Sequence, residues 1–216
     1  TIVASTNING GAGTDTLTLT DTAATTAALT IVDNTFKNVA EIDALVLSGA
    51  VAGDLVWNLG GYANDFAQAA GGTLKVTAAN FASGATLDVI TVDASGLGTG
   101  SALHLVLTNT IANGAGNAGT DTYTGSDGND IFTINYDSDN ANDDSIVTIS
   151  AGAGDDTITF TMGTGTSTPG TITLTGGAGN DTITGSVELD TITGGAGTDT
   201  MAGGTGNDIF VITTVT

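Results

Sequence analysis

The sequence predicts an all-β protein, an elongated parallel β-roll or β-solenoid built from short strands and tight turns. Two observations carry this prediction. Four nonapeptides of one pattern follow one another at the end of the chain, and the 216 residues include 33 Gly but only one Pro. Gly disfavours helix interiors, and the abundant Thr and Val favour strands. A fixed short period therefore predicts stacked strands joined by glycine turns.

The four closing nonapeptides are GGAGNDTIT, GSVELDTIT, GGAGTDTMA and GGTGNDIFV, at 176–184, 185–193, 194–202 and 203–211. Three of them match G-G-x-G-x-D-x-U-x at every defined position, where U is a large apolar residue. The glycines permit a tight turn with positive φ, and the x-U-x tail forms a short strand with one inward side chain. Such a unit becomes stable only when it stacks on copies of itself.

Further copies lie upstream. A full match stands at 10–18 (GGAGTDTLT), and degraded copies occupy 116–124, 125–133 and 151–159. The pattern places these apolar residues at the inward U position: Leu17, Tyr123, Phe132, Ile158, Ile183, Ile192, Met201 and Phe210.

One coil of a β-roll takes two nonapeptides, so each turn stacks on the turn two repeats later. This predicts that Asp181 aligns with Asp199 on one edge, and Asp190 with Asp208 on the other. The starts at 125, 151 and 176 are more widely spaced, which we interpret as the same coil lengthened at 134–150 and 160–175. One ladder of carboxylates would then run through Asp130, Asp156, Asp181 and Asp199.

The segment 19–112 lacks the glycine motif but keeps its rhythm, with short apolar runs such as ALVLSG (44–49) and ALHLVLT (102–108). Their spacing suits either coils of an irregular solenoid or strands of a sandwich-like extension. We therefore divide the chain into a β-rich, solenoid-like segment at 1–112, with one glycine turn at 10–18, and a glycine–aspartate β-roll at 113–216. No proline-rich linker separates them, which favours one continuous body. The isolated turn at 10–18 would stack on a preceding segment or on a neighbouring subunit.

The large negative net charge of the sequence predicts that the protein binds metal ions. There are 23 acidic residues against two Lys and no Arg, a formal net charge of −21, and beyond residue 112 no basic residue remains. Carboxylates that stacking brings together repel one another strongly unless a cation lies between them. Asp oxygens and turn carbonyls suit Ca²⁺ better than Mg²⁺, whereas zinc and copper prefer Cys, which is absent, or His, which occurs once. The sequence therefore predicts several Ca²⁺ ions, and so acidic a chain disfavours nucleic acid and anionic membranes as partners.

The residues assigned to the metal are the motif aspartates and the turn glycines. They are Asp15, Asp121, Asp130, Asp156, Asp181, Asp190, Asp199 and Asp208, with Gly10, Gly13, Gly128, Gly154, Gly176, Gly179, Gly194, Gly197, Gly203 and Gly206. The turn before Asp190 departs from the pattern, with Ser186 for the second glycine and Glu188 for the third. Its metal site is expected to be weak or absent, unless the Glu188 carboxylate joins it.

Nothing in the sequence indicates catalysis. The single His, His104, lies within an apolar strand-like run and is accompanied by neither a G-x-S-x-G elbow nor a Cys. We therefore expect no enzymatic activity. No run of residues is long and apolar enough to suggest membrane insertion. The chain begins TIVASTNING, with neither Met nor a basic start, so we expect it to be part of a longer protein.

The glycine–aspartate nonapeptides resemble the RTX proteins, which Gram-negative bacteria secrete by type I machinery and which fold outside the cell on calcium. The Thr-, Ala- and Gly-rich segments TFKNVAEIDALVLSG (35–49) and VITVDASGLGTGSALHLVLT (89–108) are similar to bacterial surface-layer (S-layer) proteins that carry such repeats. This resemblance implies an extracellular, calcium-dependent structural protein that self-associates into a lattice or filament. A cell-surface glycan is a further candidate partner. The alternative is the calcium-folding module of a secreted enzyme or adhesin.

Overall fold

The computed structural model describes residues 7–20, 29–48, 55–63, 72–79, 89–108, 120–136, 146–162 and 170–213. Short strands make up most of them, since Thr, Val and Ile alternate between glycine-rich turns. The strands are β1 (Ile8–Asn9), β2 (Thr16–Thr20), β3 (Leu29–Ile31), β4 (Val39–Ala40), β5 (Ala44–Ser48), β6 (Leu55–Asn58), β7 (Thr73–Ala79), β8 (Ile90–Asp93), β9 (Ala102–Thr108), β10 (Thr120–Thr124), β11 (Ile131–Tyr136), β12 (Ile146–Ala153), β13 (Thr157–Met162), β14 (Ile172–Ala178), β15 (Thr182–Thr184), β16 (Asp190–Ala196), β17 (Thr200–Ala202) and β18 (Ile209–Val211).

Two parallel sheets of eight strands contain nearly all of these elements. The first sheet has the order β2-β5-β7-β9-β11-β13-β15-β17, and the second has the order β3-β6-β8-β10-β12-β14-β16-β18. From β5 onwards the chain alternates between the two sheets, so each coil adds one strand to each. The predicted all-β parallel β-roll is therefore confirmed. A separate two-stranded sheet pairs β1 with β4.

Coil length follows the repeat spacing. Near the end of the chain Thr182 faces Thr200 and Thr191 faces Ile209, and each step is two nonapeptides. Upstream Thr157 faces Thr182 and Ile131 faces Thr157, at the wider spacing of the repeats there. The interpretation of one roll with lengthened coils is correct. The added residues include 137–145 and 163–169, which lie outside the described part of the chain.

The sheets run without interruption across residue 112. Strand β8 pairs with β10, and β9 pairs with β11. The described strands of the segment 19–112 thus form a solenoid rather than a sandwich, and they keep the pairing although the glycine motif is lost. The domain boundary remains a prediction, and the described strands on its two sides belong to the same parallel sheets.

The core lies between the two sheets. Tyr123, Phe132, Ile158, Ile183 and Ile192 are buried at the predicted inward positions. Each buried aliphatic or aromatic side chain of this kind contributes about 1.5–3 kcal/mol. Leu17 and Met201 are only partly buried against this core. Phe210, on the outermost strand of the second sheet, is 46 % exposed.

Helical backbone is scarce among the described residues. A 3₁₀ turn spans Asp33–Phe36, and 61–63 form a short helical segment. In the described part of the chain no helix is long and apolar enough to cross a membrane.

Candidate metal centre

The repeats place their aspartates at the two edges of the roll, where the turns enter the strands. Turns that lead into the first sheet form one edge and carry Asp15, Asp130, Asp156, Asp181 and Asp199. Turns that lead into the second sheet form the other edge and carry Asp121, Asp190 and Asp208. Because strands stack in parallel register, aspartates of successive coils are brought over one another.

Along the first edge the aspartates form a hydrogen-bonded ladder. The backbone N–H of Asp130 donates to Asp156 Oδ1 (2.7 Å), and that of Asp156 to Asp181 Oδ1 (2.9 Å). The N–H of Asp181 donates in turn to Asp199 Oδ1 (3.0 Å). The predicted ladder is therefore present, with carboxylates one coil apart in direct succession.

A second, exposed ladder runs beside the first in the opposite direction. It uses the residue before each aspartate. The N–H of Asp155 donates to Asn129 Oδ1 (2.9 Å), and the N–H of Asn180 to Asp155 Oδ1 (2.7 Å). The N–H of Thr198 donates to Asn180 Oδ1 (2.9 Å). We did not predict this ladder from the sequence, although the recurring Asn-Asp dipeptides were the available signal.

The other predicted aspartates have different surroundings. Asp190 stacks on Asp208, whose Oδ1 accepts the Asp190 N–H (3.1 Å), as expected. Asp121 is separated from both of them, since the facing positions on its two sides are Ile90 and Val147. Along this edge Asp121 therefore lies between Ile90 and Val147, and its Oδ1 accepts the Ile90 N–H (2.7 Å).

Asp15 stacks on a residue that the sequence motif did not identify. Its N–H donates to Asp43 Oδ2 (2.6 Å). The turn at 10–15 therefore packs on a following segment of the same chain. No glycine motif precedes Asp43, so only the strand pairing of β2 with β5 shows that Asp43 lies on this edge.

The turn glycines hold backbone oxygens close to the next coil. Gly177 and Gly195 have φ values of 125° and 119°, which L side chains rarely adopt. A Cβ added to Gly177 would collide with the carbonyl oxygen of Gly152, and one added to Gly195 with that of Gly177. A Cβ on Gly176 would strike the Asp181 carboxylate. Only glycine leaves room for carboxylates and stacked carbonyls together.

Burial and mutual repulsion perturb these carboxyls. Desolvation, together with the charges of Asp130, Asp181 and Asp155, raises the pKa of Asp156 from 3.8 to about 7, against the opposing effect of the Asp130 hydrogen bond. Desolvation also raises the pKa of Asp181, as do the charges of Asp199 and Asp155. The ladder therefore resists ionisation in the absence of a cation.

Several carboxylate oxygens also lack a donor. Asp15 Oδ2, Asp156 Oδ2 and Asp181 Oδ2 are buried and accept no hydrogen bond. A buried, unpartnered oxygen of this kind requires a partner. Among the described residues no three His, Cys, Asp or Glu side chains converge on one point. Each turn supplies one motif aspartate, and stacked turn carbonyls would provide the other oxygens for a bound ion. This donor set fits Ca²⁺, which takes six to eight oxygens in flexible geometry.

The family model for the RTX calcium-binding nonapeptide repeat matches the chain in four copies, over residues 115–133, 141–166 and 175–210. No curated protein matches the chain, and no solved structure does. The matched ranges contain both the carboxylate ladder of the first edge and the Asp190–Asp208 pair. Repeats of this family form β-rolls and bind calcium, in agreement with the sheet topology and the unpartnered oxygens. The C-terminal half of this parallel β-roll therefore carries RTX calcium-binding nonapeptide repeats.

Proposed function

We propose that this protein is a calcium-dependent structural component of the bacterial cell surface, an S-layer or extracellular filament subunit that is not an enzyme. RTX repeats are typical of secreted proteins, and we expect export by a type I system. The observation that supports the structural role is the apolar C-terminal end of the roll.

The C-terminal end of the roll presents apolar side chains on its outermost strand. Ile209, Phe210 and Val211 of β18, followed by Ile212, are 37 % to 59 % exposed. In the described part of the chain, neither β17 nor β18 pairs with a further strand on its outer side. Unpaired strand edges with apolar side chains favour association with another chain. The occupant we assign to this end is a second copy of the protein.

Assembly of the protein is expected to depend on calcium. The metal-free ladder holds carboxyls whose pKa values are raised, so the C-terminal coils fold fully only when a cation neutralises them. A bound Ca²⁺ supplies positive charge and oxygen coordination to the turns. Low calcium inside the cell would keep the chain exportable, and high calcium outside would fold it and complete the apolar end.

Electron microscopy with and without calcium tests this proposal. We expect filaments or sheets of the wild-type protein in calcium and dispersed particles in chelator. Phe210→Lys is expected to abolish assembly, because it places a charge on the apolar end. The matched control is Ile146→Lys, which changes an exposed residue on the side of the roll, 42 % accessible, and should still assemble. Folded monomers of the wild type under both conditions would refute the proposal.

The alternative function is a calcium-folding module of a type I-secreted enzyme or adhesin. It shares the repeats but predicts a catalytic or adhesive domain elsewhere in the protein. It also predicts calcium-induced folding without assembly, so the same micrographs, combined with circular dichroism, separate the two. A cell-surface glycan is a further partner to test, by binding to purified surface polysaccharide.

A further inference from the structure

The roll contains two kinds of turn that the repeat pattern treats as one. In the glycine turns at 151–156, 176–181 and 194–199 the second residue is Gly with positive φ. In the serine turns, GSDGND at 125–130 and GSVELD at 185–190, the second residue is Ser126 or Ser186. Neither serine has positive φ, so the backbone of these turns follows a different path.

The serine turn at 125–130 satisfies its own aspartate. The N–H of Ser126 donates to Asp130 Oδ2 (2.5 Å), and Ser126 Oγ lies 2.8 Å from Asp130 Oδ1. The N–H of Leu103 in the preceding coil also donates to Oδ1. Ser126 Oγ in turn accepts the N–H of Gly128 (3.2 Å). Both oxygens of this fully buried carboxylate therefore have protein donors.

The serine turn at 185–190 repeats the arrangement. The N–H of Ser186 donates to Asp190 Oδ2 (2.7 Å), and Ser186 Oγ lies 3.2 Å from the same oxygen. Ser186 Oγ accepts the N–H of Glu188 (3.2 Å), as the equivalent oxygen does in the other serine turn. Two turns on opposite edges thus share the same internal bonding.

The glycine turns lack these bonds. In the ladder Oδ1 of Asp156 and of Asp181 accepts a backbone N–H from the preceding coil, whereas Oδ2 of each is buried without a donor. In the glycine turns the second residue cannot donate hydrogen bonds to the aspartate of its own turn as Ser126 does. The reason is that Gly152 and Gly177 lie in strands β12 and β14 and pair there with each other. The unpartnered oxygen therefore occurs in turns where glycine replaces serine.

We propose that the serine turns fold without metal, with the serine N–H and hydroxyl taking the place of Ca²⁺ at Asp130 and Asp190. Calcium then binds the glycine turns alone. This inference rests on the calcium-dependent folding within the proposed function and is independent of assembly at the cell surface.

The serine turn at 125–130 gives the stacked glycine turns a neighbouring turn that is already folded without metal. The serine turn at 125–130 lies directly beneath the glycine turn at 151–156, where the N–H of Ala153 donates to the carbonyl oxygen of Ser126 (3.3 Å). The glycine turns at 176–181 and 194–199 stack above in succession. A metal-independent turn thus sets the register on which the first calcium-dependent turn forms.

A matched pair of substitutions tests the proposal on the whole chain. Calcium per chain is counted by equilibrium dialysis and by titration calorimetry for Asp130→Asn and Asp181→Asn. Asp130→Asn is expected to bind the wild-type number of ions, whereas Asp181→Asn binds at least one fewer. Loss of as many ions from Asp130→Asn as from Asp181→Asn would overturn the inference.

A gain-of-site variant covers the case in which Asp130→Asn does not fold. Ser126→Gly converts GSDGND into GGDGND, a complete match to the repeat pattern. It is expected to bind one more ion than the wild type and to unfold at lower urea concentration in chelator. Ser126→Ala is the control, because it removes the hydroxyl but keeps a Cβ, and it should gain no ion. An unchanged ion count in Ser126→Gly would contradict the replacement of metal by serine.

The two proposals fail in different ways. A wild-type protein that binds no calcium would refute both this inference and calcium-dependent folding. A protein that shows the expected ion counts but never assembles would refute only the surface role.

Discussion

Replacing Asp156 by Asn is expected to stabilise the protein without calcium and to reduce what calcium adds. Asp156 is 1 % exposed, and burial with three neighbouring aspartates raises its pKa from 3.8 to about 7. At about 1.4 kcal/mol for each pKa unit, the ionised carboxylate costs the metal-free fold about 4 kcal/mol at pH 8. Asn removes this charge and keeps an oxygen to accept the Asp130 N–H.

The net gain is smaller than the charge effect. The new amide NH₂ is buried, and an unsatisfied donor there costs about 1–3 kcal/mol. We therefore expect Asp156→Asn to be more stable than wild type in chelator by about 1–3 kcal/mol. In calcium at a hundred times the dissociation constant, each ion that the variant cannot bind removes about 2.7 kcal/mol of stabilisation.

Urea unfolding at pH 8, followed by circular dichroism of the strand band, measures both quantities. The titrations are run in chelator and in saturating calcium. Asp155→Asn is the control, since it removes the same charge from an exposed position that also lies in a hydrogen-bonded ladder. Its effects should be smaller in both conditions. Lower stability of Asp156→Asn in chelator would refute the reasoning, because the carboxylate would then act through its hydrogen bonds rather than as a site for the cation.

Two further predictions concern pH and the turn glycines. In chelator the folded state binds more protons than the unfolded state, since the pKa values of its buried aspartates are raised, so stability should fall as pH rises from about 4 to about 7 and then level off. Circular dichroism measures the stability across this pH range. A stability that rises with pH would contradict the pKa shifts. Gly195→Ala should destabilise the calcium-bound protein by about 1–3 kcal/mol, because φ is 119° and the added Cβ meets the carbonyl oxygen of Gly177. Thr198→Ala, exposed in the same turn, should change thermal stability by less than about 0.5 kcal/mol.

The repeats made much of the C-terminal half predictable. A nonapeptide with one apolar residue in its tail places that residue inward wherever two sheets face each other, which is why Ile183 and Ile192 were identified correctly. The same pattern fails at Phe210, because β18 has no further coil over it in the described part of the chain. Local sequence specifies the direction of a side chain, whereas burial depends on what is stacked above it.

The N-terminal coils were less predictable. Their apolar rhythm fitted a solenoid or a sandwich, and only the parallel pairing of β5 with β7 and of β7 with β9 decided between them. Asp43 joined Asp15 on the first edge through strand register, without any motif of its own. A parallel register joins residues far apart in sequence, so no local pattern reports it.

By itself, the sequence determined the all-β roll, the calcium-binding repeats and the stacking of Asp181 on Asp199, because a regular two-repeat period fixes which turn lies over which. Only the tertiary structure decided that Asp121 stacks between Ile90 and Val147, that Asp43 lies beside Asp15, and that Ser126 and Ser186 satisfy their own aspartates. The physical reason is that a motif specifies the conformation of one turn. Whether its carboxylate needs a cation depends on the donors and charges that the neighbouring coils bring to it.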